Sequence, residues 1–173
     1  MLLFLLLHYN NFRAAVCMPA PLGMESGAIL DSQITASSIW HPNYAAQQAR
    51  LHFKAGGGKS GSWSSLFNDN NQWLQVDLQQ TTRVKGIATQ GKNAYSQWVT
   101  QYKLQYGEDG HTFKFYRQKG DHLDTVWFSS CQGGGSSMLF SNHSAVKREQ
   151  IIFILNIIRR RQGSGIGISF NDS

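Results

Sequence analysis

An all-β fold is what this sequence predicts, on three grounds. Its 173 residues include 17 Gly but only three Pro, with five Trp, six Tyr and ten Phe. That mixture suits short strands joined by Gly and Asn turns, because aromatic and β-branched side chains pack well on a pleated surface. Between Trp73 and Tyr116 apolar and polar residues alternate, the period-two pattern of half-buried strands. Before residue 125 the one helical candidate is the short run Ala45 to Leu51. At roughly 150 residues per domain, the length supports a single core.

Taken along the chain, Met1 to Leu7 reads MLLFLLL, then polar HYNNFR, then Ala14, Ala15 and Val16 before Cys17. A secretory signal has a basic start, 7 to 15 apolar residues and a small-residue exit. The exit is present and the basic start is not, so a signal peptide over residues 1–16 and an incomplete amino terminus stand side by side. Gly56 to Ser65, GGGKSGSWSS, reads as a long loop. In the strand expected at Trp73 to Leu78, Leu74, Val76 and Leu78 share one face and Gln75 and Asp77 the other. A second strand is expected at Arg83 to Thr89. In the third, Trp98, Thr100, Tyr102, Leu104 and Tyr106 alternate with Val99, Gln101, Lys103 and Gln105. Glu108-Asp109-Gly110-His111 supplies turn chemistry, and Thr112 to Tyr116 returns as the second arm of a hairpin. From Val126 the character changes: Gly133 to Ser137 looks like a linker, and Lys147 to Arg161 like a basic, apolar segment with weak helical periodicity. A domain edge is therefore expected near residue 125. The longest late apolar run, Ile151 to Leu155 with Ile157 and Ile158, is far short of the 20 or so residues a spanning helix needs, so no transmembrane segment is expected.

Charged residues make up only 15% of the chain and hydrophobic ones 41%, which excludes a charged disordered tail and a coiled coil. The net charge is +6, of which half lies in the last 48 residues, where Arg159, Arg160 and Arg161 form one run. Such a balance suits anionic lipid, sulfated glycan or nucleic acid and chooses among none of them. Catalytic patterns are missing. Gly58-Lys59-Ser60 resembles part of a phosphate-binding loop, but the first glycine of that motif would fall on Phe53. His8, His41, His52, His111, His122 and His143 show no His-x-x-x-His or His-x-His spacing for a zinc centre. No Gly-x-Ser-x-Gly elbow occurs, and Asp69, Asp77, Glu108, Asp109, Asp121 and Asp124 form no acid/base pair by spacing. The expectation is a protein without catalysis, metal or cofactor. Two cysteines, Cys17 and Cys131, are too few for a disulfide scaffold. The sequons at Asn142 and Asn171 permit glycosylation without demanding it.

Several separate words then occur in one order: Pro21 to Gly27 (PLGMESG), Ile34 to Ser38 (ITASS), Ala49-Arg50-Leu51, Trp63, Asn71 to Leu78 (NQWLQVDL), Ala88 to Gly91 (ATQG), Gln97 to Thr100 (QWVT) and Tyr102 to Tyr106 (YKLQY). In order and spacing they closely resemble the discoidin domain, also called the coagulation factor 5/8 type C domain, over about residues 17–125. The resemblance implies an eight-stranded antiparallel jelly-roll barrel, an extracellular setting, no catalysis, and binding through loops at one end. The family's first loop corresponds to Ile39-Trp40-His41-Pro42-Asn43-Tyr44, its second to the stretch around Lys54 to Ser62, and its third to Lys92-Asn93-Ala94-Tyr95-Ser96. In lipid-binding relatives the loop tips carry exposed apolar residues above basic ones. The candidate ligand-binding residues are accordingly Ile39, Trp40, His41, Lys54, Lys59, Lys92, Asn93 and Tyr95: apolar tips would leave water and ammonium groups would meet anionic headgroups. Trp63, Trp73, Trp98 and Tyr102 fit core positions better, because they lie in or beside the alternating strands. For Trp40, an exposed anchor and a ring packed within its loop are equally compatible with the sequence.

The ending departs from the family. Members continue after the Asp124-Thr125 region with further strands and close on a cysteine that pairs with the one at the domain start, here Cys17. Nothing after Val126 resembles those strands, and Cys131 comes too early to be that partner. The expected architecture is thus an antiparallel jelly roll over 17–125 that lacks its closing strands, with 126–173 as a basic tail and open sheet edges that recruit other chains. The expected function is a secreted or cell-surface adhesion module for anionic phospholipid, cell-surface glycan or matrix protein. Its alternatives are the targeting domain of a larger extracellular enzyme and a soluble discoidin-type lectin. Nucleic acid is not an expected partner, since the strand aromatics alternate like core residues and no RNA-binding motif occurs.

Overall fold

The computed structural model describes residues 21–82, 84, 86–92, 97–118, 120–128, 136–140, 150–160 and 166–171. Among the described residues nine strands form two antiparallel sheets: β1 Ile34–Ala36, β2 Trp73–Thr81, β3 Gly86–Gly91, β4 Val99–Tyr106, β5 Lys114–Phe115, β6 Val126–Phe128, β7 Ser136–Phe140, β8 Gln150–Arg160 and β9 Ile166–Asn171. The larger sheet runs β1-β2-β8-β4-β5, with β6 sharing the outer side of β4, and the smaller runs β7-β3-β9. This is the two-sheet, all-β arrangement that composition and alternation predict.

Alternation decides what β2 and β4 bury. Leu74, Val76 and Leu78 of β2 enter the core with Val99, Tyr102 and Leu104 of β4, and Ile87 of β3, Trp63, Met24, Ile29 and Ile34 complete it. Trp73 is only half-buried, which corrects its expected place in the core. Successive side chains of a strand point to opposite faces, so Trp73 must share the face of Gln75 and Asp77. Trp98 is buried but lies outside the connected cluster that holds Leu74, Val76 and Leu104. Val99 is buried beside it because the register of β4 against β8 shifts between Val99 and Gln101, and again before Tyr102. The second predicted strand begins later than expected, at Gly86, with Arg83 and Lys85 outside the described residues. The hairpin is present: Gln105 faces Phe115 and Tyr106 faces Lys114. Any side chain at Gly107 would collide with the Thr112 carbonyl oxygen, so the turn needs glycine there. The short helical candidate is a 3-10 turn at Ala46–Ala49.

The largest correction concerns the end of the chain. Lys147 to Arg161 was expected to be weakly helical and the barrel to lack closing strands; instead β8 lies in the middle of the larger sheet. Leu74 faces Leu155 and Val76 faces Phe153, while Leu104 faces Leu155 and Gln105 faces Ile154. Five of the eight residues from Ile151 to Ile158 are isoleucine. Such β-branched side chains favour a pleated strand, and partners on both sides give the backbone N–H and C=O groups their hydrogen bonds. Ser136 and Ser137, expected in a linker, pair in β7 with Gln90 and Thr89. Cys17, Cys131 and residues 1–16 lie outside the described residues.

Candidate functional site

Two loop segments, 37–40 and 63–72, meet beside the start of β2. Gln72, buried just before that strand, accepts hydrogen bonds at Oε1 from the hydroxyls of Ser37 (2.8 Å) and Ser38 (2.6 Å) and donates through Nε2 to Asp69 (2.8 Å). The Ser38 hydroxyl also accepts from the Leu66 N–H at 3.1 Å, and its carbonyl accepts from the Trp63 indole at 2.9 Å. The Trp40 N–H donates to the Ser64 carbonyl at 2.9 Å. Segments 38–40 and 64–66 are therefore held side by side, in opposite directions, by their polar atoms. Their apolar side chains face water: Ile39 is 39% exposed, Trp40 59%, Leu66 52% and Phe67 56%. Leu66 and Phe67 are absent from the sequence-derived candidates. They sit in a Ser/Asn-rich loop without periodicity, and no strand pattern marks them.

The first loop turns back on itself through a 3-10 turn at Pro42–Tyr44. His41, exposed, accepts at Nδ1 from the Asn43 N–H at 3.2 Å, so one of its ring nitrogens caps that turn. The Tyr44 ring lies 5.1 Å from the Trp40 ring, tilted by 49°. The second loop is clamped to the first, with the Ser60 N–H donating to the Asn43 carbonyl at 2.8 Å. It contains a two-residue turn in which Gly56 and Lys59 exchange backbone hydrogen bonds of 3.0 and 2.9 Å. Gly57 and Gly58, at φ +57° and +76°, supply the two positive φ values such a turn needs. Lys54 and Lys59 are both exposed on this loop.

Lys92 differs from the other candidate lysines. It is 4% exposed, and its ammonium sits 4.6 Å from the centre of the Tyr44 ring and donates to Gln97 Oε1 at 3.0 Å. Burial holds its pKa below the usual lysine value. This corrects the expectation of a headgroup-facing cation, because an ammonium in such a place has exchanged water for a ring face and an amide oxygen. Asn93 and Tyr95 lie outside the described residues. Ile39, Trp40, His41, Lys54 and Lys59 thus share one connected set of loops. Among the described residues no group of three His, Cys, Asp or Glu gathers as a metal site, and no helix is long and apolar enough to cross a membrane. The arrangement offers exposed apolar side chains on a hydrogen-bonded base, with two solvated ammonium groups close by in the chain, which is equipment for holding a surface.

The F5/8 type C domain model matches residues 33–132. Coagulation factor V of Mus musculus is 37% identical over 134 residues, covering 74% of this chain and 6% of that protein. The EGF-like repeat and discoidin I-like domain-containing protein 3 of Homo sapiens is 43% identical over 115 residues, covering 62% of this chain and 23% of that protein. The chain thus spans a small part of the curated relatives it matches. Among solved structures, discoidin II of Dictyostelium discoideum has a TM-score of 0.70 at 18% identity, covering 81% of this chain and 55% of that one. The family 32 CBM of C. perfringens NanJ in complex with galactose has a TM-score of 0.58 at 14% identity, covering 88% and 98%. At such identities the structural likeness concerns the fold, a discoidin-type jelly roll.

Proposed function

The chain belongs to the F5/8 type C domain family and is a discoidin-type binding module, and on that premise we propose that it is a non-catalytic extracellular adhesion module that docks on an anionic phospholipid surface through its loop rim. The observation that carries this reading is the exposure of Trp40 and Ile39 beside the equally exposed Leu66 and Phe67, on loops whose polar atoms are used in fixing one another. Side chains held out of the core in this way suit insertion at the boundary of headgroups and acyl chains. Lys54 and Lys59 then meet the negative surface.

The test is sedimentation with vesicles of phosphatidylserine and phosphatidylcholine, against phosphatidylcholine alone, in the presence and absence of galactose. Burying an exposed aromatic ring contributes about 1 to 3 kcal/mol. Trp40→Ala and Phe67→Ala are therefore each expected to weaken binding to the anionic vesicles about tenfold, with circular dichroism unchanged. Binding that galactose inhibits, or that both variants retain in full, overturns the lipid reading; the first result favours a lectin. A catalytic domain elsewhere in the same polypeptide would make the module a targeting domain, with the same rim at work.

A further inference from the structure

Resting on the reading that Trp40 contacts ligand, we propose that Lys92 is a positioning residue: its buried ammonium, directly after β3, fixes the Tyr44 ring and, through that ring, orients the exposed Trp40 indole. The side chain is held at both ends. The Lys92 N–H donates to the Gln97 carbonyl at 2.8 Å, and Nζ reaches Gln97 Oε1 at 3.0 Å. The same ammonium lies 4.6 Å from the centre of the Tyr44 ring. Tyr44 in turn lies 5.1 Å from Trp40 in a tilted pair, a geometry that aromatic quadrupoles favour. A cation over the opposite partner of such a pair restricts its rotation, because the attraction depends on the cation facing the ring.

Stability is a poor explanation for this lysine. Burial costs the ammonium its hydration, which is why its pKa falls, a cost that an apolar side chain of similar length would not carry. Methionine at this position would fill the space without aiming anything at Tyr44. The rim, by contrast, depends on direction. Trp40 is 59% exposed, and an anchor that is already oriented loses less conformational freedom on binding.

The experiment uses the full 173-residue chain with Lys92→Met, Lys92→Arg and Tyr44→Leu, each alone and combined with Trp40→Ala. Without any ligand, 15N relaxation of the Trp40 indole, assigned by its loss in Trp40→Phe, should show added fast motion in Lys92→Met and Tyr44→Leu. Lys92→Arg, which keeps a cation for the ring, should restore it, while the other four indoles stay unchanged. On phosphatidylserine/phosphatidylcholine vesicles, Lys92→Met should bind about fivefold more weakly and add nothing to the defect of Trp40→Ala. Unchanged Trp40 relaxation in Lys92→Met, or a change spread over all indoles, overturns the proposal. So does full additivity with Trp40→Ala. Should Lys92→Met fail to fold, Tyr44→Leu decides by the same signal, since it leaves the lysine in place. Trp40→Ala binding vesicles as the parent does would sink the lipid reading alone, and the indole signal would still judge Lys92.

Discussion

Trp40 can stand in water because its loop is secured through backbone and small polar groups, leaving the indole to rest against the Tyr44 ring. Gln72 is the residue on which that security converges, through Ser37, Ser38 and Asp69. Removing a buried partner leaves other buried polar atoms unsatisfied, at a cost of about 1 to 3 kcal/mol. Urea unfolding should therefore register Gln72→Ala at about that cost and Trp40→Ala within about 0.5 kcal/mol of the parent; the reverse order would mean that the indole, and not the amide, holds the loop. A second residue titrates. The N–H groups of Thr112 and His111 donate to the Asp109 carboxylate at 2.6 and 2.8 Å, holding its pKa down at about 2. A carboxylate with a depressed folded pKa contributes stability above its unfolded value near 4, and that contribution is lost as pH falls through about 2. Asp109→Asn should flatten the acid limb of stability against pH in that window, and a limb of unchanged slope would assign it to other carboxylates. The side chain is exposed, so the amplitude will be small.

At the scale of elements, β8 carries the most. It joins β2 to β4, and Leu155 faces both Leu74 and Leu104. Proline there removes a ladder hydrogen bond from a central strand, a cost of about 3 kcal/mol or more. Leu155→Pro should lose the strand signal in far-UV circular dichroism and shift the protein into insoluble material, since β2 and β4 would present unpaired edges. A soluble, fully folded variant would show that the sheet closes without β8. The central strands β2 and β4 were legible in the sequence because one face of each is buried, which writes a period of two into Leu74, Val76, Leu78, Tyr102 and Leu104. β8 was not, because Ile151 to Leu155 with Ile157 and Ile158 is an apolar run interrupted at Asn156, and periodicity cannot separate a strand from a helix in such a run. Its isoleucine content was the usable signal. The site was legible in its first two loops through the family words that flank them. Leu66 and Phe67 escaped because an irregular loop has no period to read. The burial of Lys92 is not legible, because sequence shows a charge without showing whether water surrounds it.

For the molecule as a whole, β-sheet register determines which charges gather near the rim. β8 runs antiparallel to β2, with Asn156 facing Trp73 and Gln150 facing Thr81, so its later residues lie toward the end where β2 begins and the Ser37 loop attaches. Val99 faces Arg160 and Gln101 faces Arg159, which places those two arginine positions at the same end. The basic positions are therefore unevenly arranged along the backbone: Lys54 and Lys59 on the second loop, and positions 159 and 160 toward the end of the sheet where β2 and β4 begin. A basic residue close to an anionic membrane contributes about 1 kcal/mol, and the contribution decays over about 8 Å at physiological salt. Apolar insertion has no such dependence. Lys54→Gln with Lys59→Gln should accordingly lower affinity for phosphatidylserine vesicles at low salt by about tenfold or more and converge on the parent above about 0.5 M salt. Arg159→Gln with Arg160→Gln should act in the same sense, whereas Lys103→Gln, whose ammonium pairs with Asp124 at 3.2 Å, should leave the salt dependence as it is. Trp40→Ala should shift the whole curve down at every salt concentration. Equal salt slopes for the parent and the Lys54, Lys59 and Arg159, Arg160 variants would mean that charge plays no directed part, and that the apolar rim alone meets the surface.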